Sequence, residues 1–258
     1  MKTFILIIFC FTFLIIPSVY SQKGSPGPKI VDIDGNSYKT VYIGGQQWMA
    51  ENLNTSRFND GTPIKNIPNH PYEESQRWGY KIPPPAWCYY DDDKSKYGKY
   101  GKLYNWYAVS PTNNKNICPR GWHVPSDDEF GELLLYLEEG DGLLGGYLKS
   151  TGTLDWRFPN ESATNSSLFN ALPGGYRHQE YSYVGYHGSW WTSTESDELS
   201  YDKDKKPFAV GYFLYSHSSI VDKGQALNSS SYDSSIYKND DGFYVFKTTG
   251  MSIRCIKD

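Results

Sequence analysis

Residues 118–126, Cys118-Pro119-Arg120-Gly121-Trp122-His123-Val124-Pro125-Ser126, put a cysteine and a short apolar stretch directly ahead of the clearest helix in the chain. Ser126 and Glu129 form a Ser-x-x-Glu capping box, and Asp127 and Asp128 lie where the helix dipole favours negative charge. Phe130, Leu133, Leu134 and Leu137 supply an apolar face at helical spacing, and Gly140 stops the pattern, so a helix is expected over Ser126–Glu139. The far end of the chain, Ser252-Ile253-Arg254-Cys255-Ile256-Lys257-Asp258, carries another cysteine in a strand-like stretch. We read Cys118 as its partner, because that bond fastens the C-terminus to the segment leading into the helix. Beyond the N-terminal segment there are three cysteines, Cys88, Cys118 and Cys255, and the residues alone leave all three pairings open.

At the N-terminus, Lys2 is followed by an apolar run from Phe4 to Ile16, then Pro17 and the small-residue pattern Val19-Tyr20-Ser21. That anatomy reads as a secretory signal peptide over residues 1–21, and the run is short of the roughly 20 residues a transmembrane helix needs. Cys10 lies inside the apolar core behind Phe9, which argues against a lipid-anchored cysteine. The expected product is exported, to the periplasm, the cell surface or the extracellular space, without a transmembrane segment. The formal charge of −4 becomes about −5 once Lys2 is removed, and no Lys/Arg-rich stretch occurs, so nucleic acid is not an expected partner. What stands out is aromatic content: 23 Tyr and 8 Trp.

Residues 22–28 contain no apolar side chain and read as a flexible leader, which leaves 29–258 as a single domain. Lys29–Ile33 and Ser37–Ile43 alternate around the turn-forming Asp34-Gly35-Asn36 and predict a hairpin, with Gln46–Met49 as a third strand. Asn52–Pro85 reads as a long irregular loop. The spacing of Leu103, Trp106 and Tyr107 predicts a short helix over Leu103–Val109. Further strands are expected at Leu168–Leu172, Tyr183–Tyr186, Ser189–Ser193, Ala209–Ser216, Gly242–Lys247 and Met251–Ile256, with exposed loops at Asp197–Lys206 and Asn228–Asp241.

Five ordered motifs then converge. Gly101–Val109, Cys118–Ser126, Leu172-Pro173-Gly174-Gly175-Tyr176-Arg177, Trp190-Trp191-Thr192-Ser193-Thr194 and Ser252–Asp258 together resemble the Fibrobacter succinogenes major paralogous domain family over roughly Lys29–Asp258. The resemblance implies an exported bacterial protein of a family with no established activity. It also implies an α+β fold of the C-type-lectin-like group, related to formylglycine-generating enzymes: small looped antiparallel sheets, two short helices, long loops, and adjacent terminal strands. A terminal-strand cysteine bonded to the helix region suits such a fold, in agreement with the Cys118–Cys255 reading. The Glu-Pro-Asn, Gln-Pro-Asp and Trp-Asn-Asp signatures of calcium-dependent lectin sites are absent, so the fold does not bring that sugar site with it.

Little in the sequence points to catalysis or a cofactor. Asp91-Asp92-Asp93 with Ser95 offers oxygens at alternate positions, but Lys94 and Lys96 intrude, and a solvated acidic turn is the better reading than calcium; Asp202 and Asp204 read the same way. His70, His123, His178, His187 and His217 have no metal-ligand spacing, and His123, between Trp122 and Val124, reads as structural. No Gly-x-Ser-x-Gly elbow occurs, Cys88 is the one plausible free thiol, and the copper-binding cysteine pair of formylglycine-generating relatives has only Cys255 to match it. The expected site is therefore a binding surface. One ring of Trp190 and Trp191, which face opposite sides of a strand, is expected at the surface with Tyr176 and Arg177. This predicts a non-enzymatic module for a polysaccharide or a cell-surface protein, with an exported enzyme or a purely structural protein as alternatives.

Overall fold

The hairpin at the N-terminus forms because Asp32 builds its turn: Oδ1 accepts the backbone N–H groups of Asp34 and Asn36, both at 2.9 Å, and Gly35 supplies φ +84°. In the computed structural model, which describes residues 21–68, 83–196, 208–223, 236–239 and 242–258, the hairpin joins Gly24–Val31 to Ser37–Ile43. The strand thus begins inside the expected leader. Pro26 and Pro28 are tolerated because this is the edge strand of its sheet among the described residues, and Gly24, whose N–H donates to the Ser166 carbonyl, lies so close to the Ser167 carbonyl that a Cβ would meet it at 2.0 Å. The expected signal peptide up to residue 20, the expected loop Asp197–Lys206, His70, and most of the expected loop Asn228–Asp241 lie outside the described residues.

The hairpin continues antiparallel into Gln46–Met49, the terminal strand Ile256–Lys257 and finally Trp122–His123. The first and last strands thus share one sheet but are not the adjacent pair expected, because the short turns pair Gly24–Val31, Ser37–Ile43 and Gln46–Met49 in chain order and leave only the last of them open to the terminal strand. A second antiparallel sheet holds His187–Glu195, Phe208–Tyr215, Gly242–Phe246 and Ile236–Asn239, with Val221–Lys223 also on Phe208–Tyr215. The architecture is α+β, built of small, mostly antiparallel sheets and a few short helices. Among the described residues no helix is long and apolar enough to cross a membrane.

The principal helix, Asp127–Leu137, has the expected reciprocal cap between Ser126 and Glu129. Its buried face, Phe130, Leu133 and Leu137, packs on the first sheet through Trp48, and Phe130 stacks on Tyr212 of the second sheet at 4.0 Å and 7°. A second short helix, Leu144–Leu148, replaces the one expected at Leu103–Val109. Gly146 permits it, since a Cβ there would meet the Ser162 carbonyl at 2.2 Å. Leu103–Tyr104 is instead a strand followed by a single 3₁₀ turn at Trp106–Ala108. Tertiary pairing overrides the helical spacing: Tyr104 exchanges two backbone hydrogen bonds with Met251, and the Trp106 N–H goes to the Lys247 carbonyl.

Similar competition removes two expected strands. Leu168–Leu172 contributes only an isolated bridge at Ala171, and Tyr183–Tyr186 is a turn. Met251–Ile256 is extended but irregular, and Ser252 is bridged to Trp190 in the second sheet while Ile256 pairs in the first. The terminal segment therefore bolts the two sheets together, and Cys255 is bonded to Cys118, with Cα atoms 5.9 Å apart.

Candidate functional site

The surface tryptophan expected from the sequence is not there. Trp190 and Trp191 do point to opposite faces of His187–Glu195, but both faces are covered: Trp190 packs in the cluster with Phe130 and Phe169, Trp191 in the one with Tyr104 and Ile253. Both indoles are buried and hydrogen-bonded, Trp190 Nε1 to Asn52 Oδ1 and Trp191 Nε1 to the Tyr104 carbonyl. Tyr176 is buried as well. Strand alternation reveals which face a ring takes, not whether a second layer covers that face. Of the four expected residues, only Arg177 reaches a concavity.

That concavity is a cleft of about 70 Å³ between Trp87-Cys88, Leu103, Arg177-His178, Thr248 and Gly250. It holds on the order of five water-sized volumes. Arg177 is fixed by Nη1 donating to the Ile67 carbonyl at 2.8 Å, with its guanidinium 5.0 Å from the Tyr181 ring. His178 stacks on Phe246 at 5.7 Å and meets Thr249 Oγ1 through Nδ1 at 3.3 Å. Thr248 Oγ1 is buried with no hydrogen-bond partner among the described residues. Cys88 is free and buried, and burial pushes its thiol pKa up despite the nearby Arg177 charge. A thiol held protonated is a poor nucleophile.

Outside the cleft lies a group of tyrosines that the sequence reading missed. Tyr90 meets Tyr97 edge-on at 4.9 Å and Tyr181 at 5.3 Å, and Tyr97 continues to Tyr100 at 6.5 Å. Tyr90, Tyr97 and Tyr181 are half-buried. Local chemistry sets this platform. Asp91 and Asp92 adopt φ of 54° and 53°, which aspartate tolerates better than most residues, and Asp93 caps the turn Lys94–Tyr97 by accepting from the N–H groups of Ser95 and Lys96. The Asp93 carboxylate thus faces backbone, and among the described residues no group of three or more His, Cys, Asp or Glu is placed to hold a metal ion.

Gly175 explains how the platform meets the cleft. At φ +64°, a Cβ there would lie 2.4 Å from the Ser182 carbonyl and 2.9 Å from Tyr90, so only glycine lets that ring rest on the backbone. Tyr181 then spans the two features, its ring against Tyr90 on one side and Arg177 on the other. Consecutive Tyr89-Tyr90 ahead of three aspartates was the available signal, but only the fold brings Tyr181 beside it.

The five sequence motifs form the frame beneath this surface. Gly250 and Arg177 exchange backbone hydrogen bonds, Trp106 Nε1 donates to the Thr192 carbonyl, and Arg254 reaches the carbonyls of Phe169 and Asn170. His123 is structural, held between Glu129 and Asp258 at 2.8 and 2.7 Å. No curated protein and no solved structure matches the chain significantly. The sequence model described as the Fibrobacter succinogenes major domain matches residues 41–257. Over nearly its whole described length, from the second strand of the hairpin to the terminal strand, the chain belongs to the Fibrobacter succinogenes major domain family.

Proposed function

We propose that this protein is an exported, non-enzymatic binding module of C-type-lectin-like architecture whose ligand is a polysaccharide. Export is supported by the apolar N-terminal run and by a disulfide that an oxidising compartment would keep formed. The lectin-like reading is supported by the N-terminal hairpin and the C-terminal strand sharing one sheet, with one principal helix packed between two small sheets.

The observation that carries the ligand class is the half-buried tyrosine platform of Tyr90, Tyr97 and Tyr181 beside Arg177. Rings held rigidly by one another offer flat apolar faces for the C–H side of a pyranose, and the Tyr97 hydroxyl and the guanidinium offer hydrogen bonds to its rim. Cys88, buried and kept protonated, supports binding over covalent catalysis. The test is a glycan array followed by calorimetry on the best ligand. We expect at least one polysaccharide to bind and Tyr97→Ala to weaken it by about tenfold, roughly 1.4 kcal/mol, with an unchanged melting curve. Binding that survives Tyr97→Ala moves the site elsewhere, and binding only to a cell-surface protein replaces the ligand class.

A further inference from the structure

The aromatic face does not end at Tyr181. Residues 151–159 form an exposed loop organised around Trp156, which is fully buried and donates Nε1–H to the Ala171 carbonyl at 2.9 Å. Asn160 ties down its far side, with Nδ2 reaching the carbonyls of Ser150 and Gly152 at 2.9 and 2.7 Å. On either side of the buried indole, Leu154 and Phe158 stand 97% and 84% exposed. Two large apolar side chains are thus presented to water from a loop anchored at its buried centre.

Two links lay the loop against the tyrosines. Asp155 pairs with Lys99 at 2.6 Å, and Lys99 lies over the ring of Tyr100, the neighbour of Tyr97. Arg157 donates its backbone N–H to the Gly185 carbonyl at 2.7 Å, between the exposed Tyr183 and Tyr186. Tyr183 is itself seated, stacked on His187 at 4.2 Å and 5°. These links bring residues 90–100, 151–159 and 176–187, each carrying exposed or half-buried rings or apolar side chains, against one another.

The charges on this strip say what kind of polymer it suits. Residues 90–100 set Asp91, Asp92 and Asp93 against Lys94, Lys96 and Lys99; residues 151–159 set Asp155 against Arg157; residues 176–187 set Arg177 against Glu180. Each segment is formally neutral with histidine uncharged. Such a surface draws neither a polyanion nor a polycation from a distance, yet it bristles with hydrogen-bonding groups. We infer that the strip takes an uncharged linear polysaccharide in at least two subsites, one on Tyr90, Tyr97 and Tyr181 and the next on Leu154, Phe158 and Tyr186. The inference rests on the glycan-binding reading and adds ligand length and charge to it.

The test uses affinity electrophoresis of the full mature protein in gels holding mixed-linkage β-glucan, arabinoxylan, galactomannan, polygalacturonate or chitosan. Calorimetry follows with fragments of the polymer that retards it. We expect retardation by a neutral polymer alone, unchanged between about 20 mM and about 500 mM salt because no net charge is being screened. A hexasaccharide should bind at least about tenfold tighter than a trisaccharide, since the second subsite engages without a second association penalty. The double variant Leu154→Ser/Phe158→Ser, at fully exposed positions, should erase that gain and leave trisaccharide affinity as it was. A hexasaccharide no tighter than the trisaccharide, or a double variant equal to wild type, overturns the second subsite while leaving the glycan reading intact. Preference for polygalacturonate or chitosan overturns the charge argument. Retention by no polysaccharide, or by a cell-surface protein alone, overturns both the reading and its extension.

Discussion

Arg254 is the residue on which most of the frame depends. It is fully buried, and loss of hydration pushes its pKa down to about 9. Four acceptors offset that: Asn52 Oδ1 at 2.9 Å on Nε, the Phe169 and Met49 carbonyls on Nη1, and the Asn170 carbonyl at 2.9 Å on Nη2. Its plane also lies over Phe169 at 4.3 Å. The acceptors come from two segments far apart in the chain, 49–52 and 169–170, and Asn52 in turn receives the Trp190 indole and holds the Tyr100 carbonyl. Arg254→Met fits the space but strands these groups in the core, at about 1–3 kcal/mol each where they stay unsatisfied. We expect a loss on the order of 4 kcal/mol and a Tm lower by roughly 10 °C. Arg254→Lys should recover little of it, because an ammonium cannot reproduce the planar fork. A denaturant titration in which Lys matches wild type would remove geometry from the explanation.

Among the elements, the helix Asp127–Leu137 was legible because everything that defines it is local: a capping box, an acidic first turn and an apolar stripe. The segment Leu103–Val109 had a helical stripe too, yet Met251 and Lys247 claim its backbone. Local spacing cannot report a partner some 140 residues away. The same holds for the candidate site. Trp190 and Trp191 were correctly assigned to opposite faces, but their burial depends on two core layers contributed by distant segments, and the tyrosine platform unites Tyr90 and Tyr181 across a glycine turn. At the helix entrance, His123 bridges Glu129 and Asp258 with both ring nitrogens. Burial opposes its charge, but the two carboxylate hydrogen bonds outweigh this and raise its pKa above 6.5. Burial likewise disfavours the Glu129 carboxylate, while bonds from Ser126 and His123 leave its pKa below 4.5. The histidine contribution is therefore full below about pH 6.5 and disappears as pH rises through the folded value, whereas that of Glu129 is lost only in acid. Because His123 is partly exposed, screening keeps the effect small. Comparing Tm of wild type and His123→Ala, we expect the gap at pH 5.5 to exceed that at pH 8.5 by about 2 °C, roughly 0.5 kcal/mol. A gap that widens with pH contradicts the assignment.

Across the whole molecule, the C-terminal segment decides whether two sheets behave as one body. Ser252 exchanges backbone hydrogen bonds with the strand carrying Trp190 and Trp191, while Ile256 pairs with Trp48 and His123 in the other sheet. Between them, Cys255 is bonded to Cys118 across a sequence separation of 137. Closing a loop of that length restricts the unfolded chain by up to about 5 kcal/mol in the chain-entropy picture, and measured disulfides commonly give 2–4. Cys255→Ser should therefore lower Tm by roughly 10 °C. Since the bolt is shared, the loss should fall on both sheets together: near-ultraviolet circular dichroism, which reports Trp190 and Trp191 in their separate clusters, and far-ultraviolet circular dichroism should trace one transition in wild type and variant alike. In the unfolded protein lacking residues 1–21, thiol titration should find Cys88 alone in wild type, and Cys88 with Cys118 in the variant. Three free thiols in wild type would remove the staple. Two separated transitions would mean instead that each sheet folds on its own and that the C-terminal segment joins them only loosely.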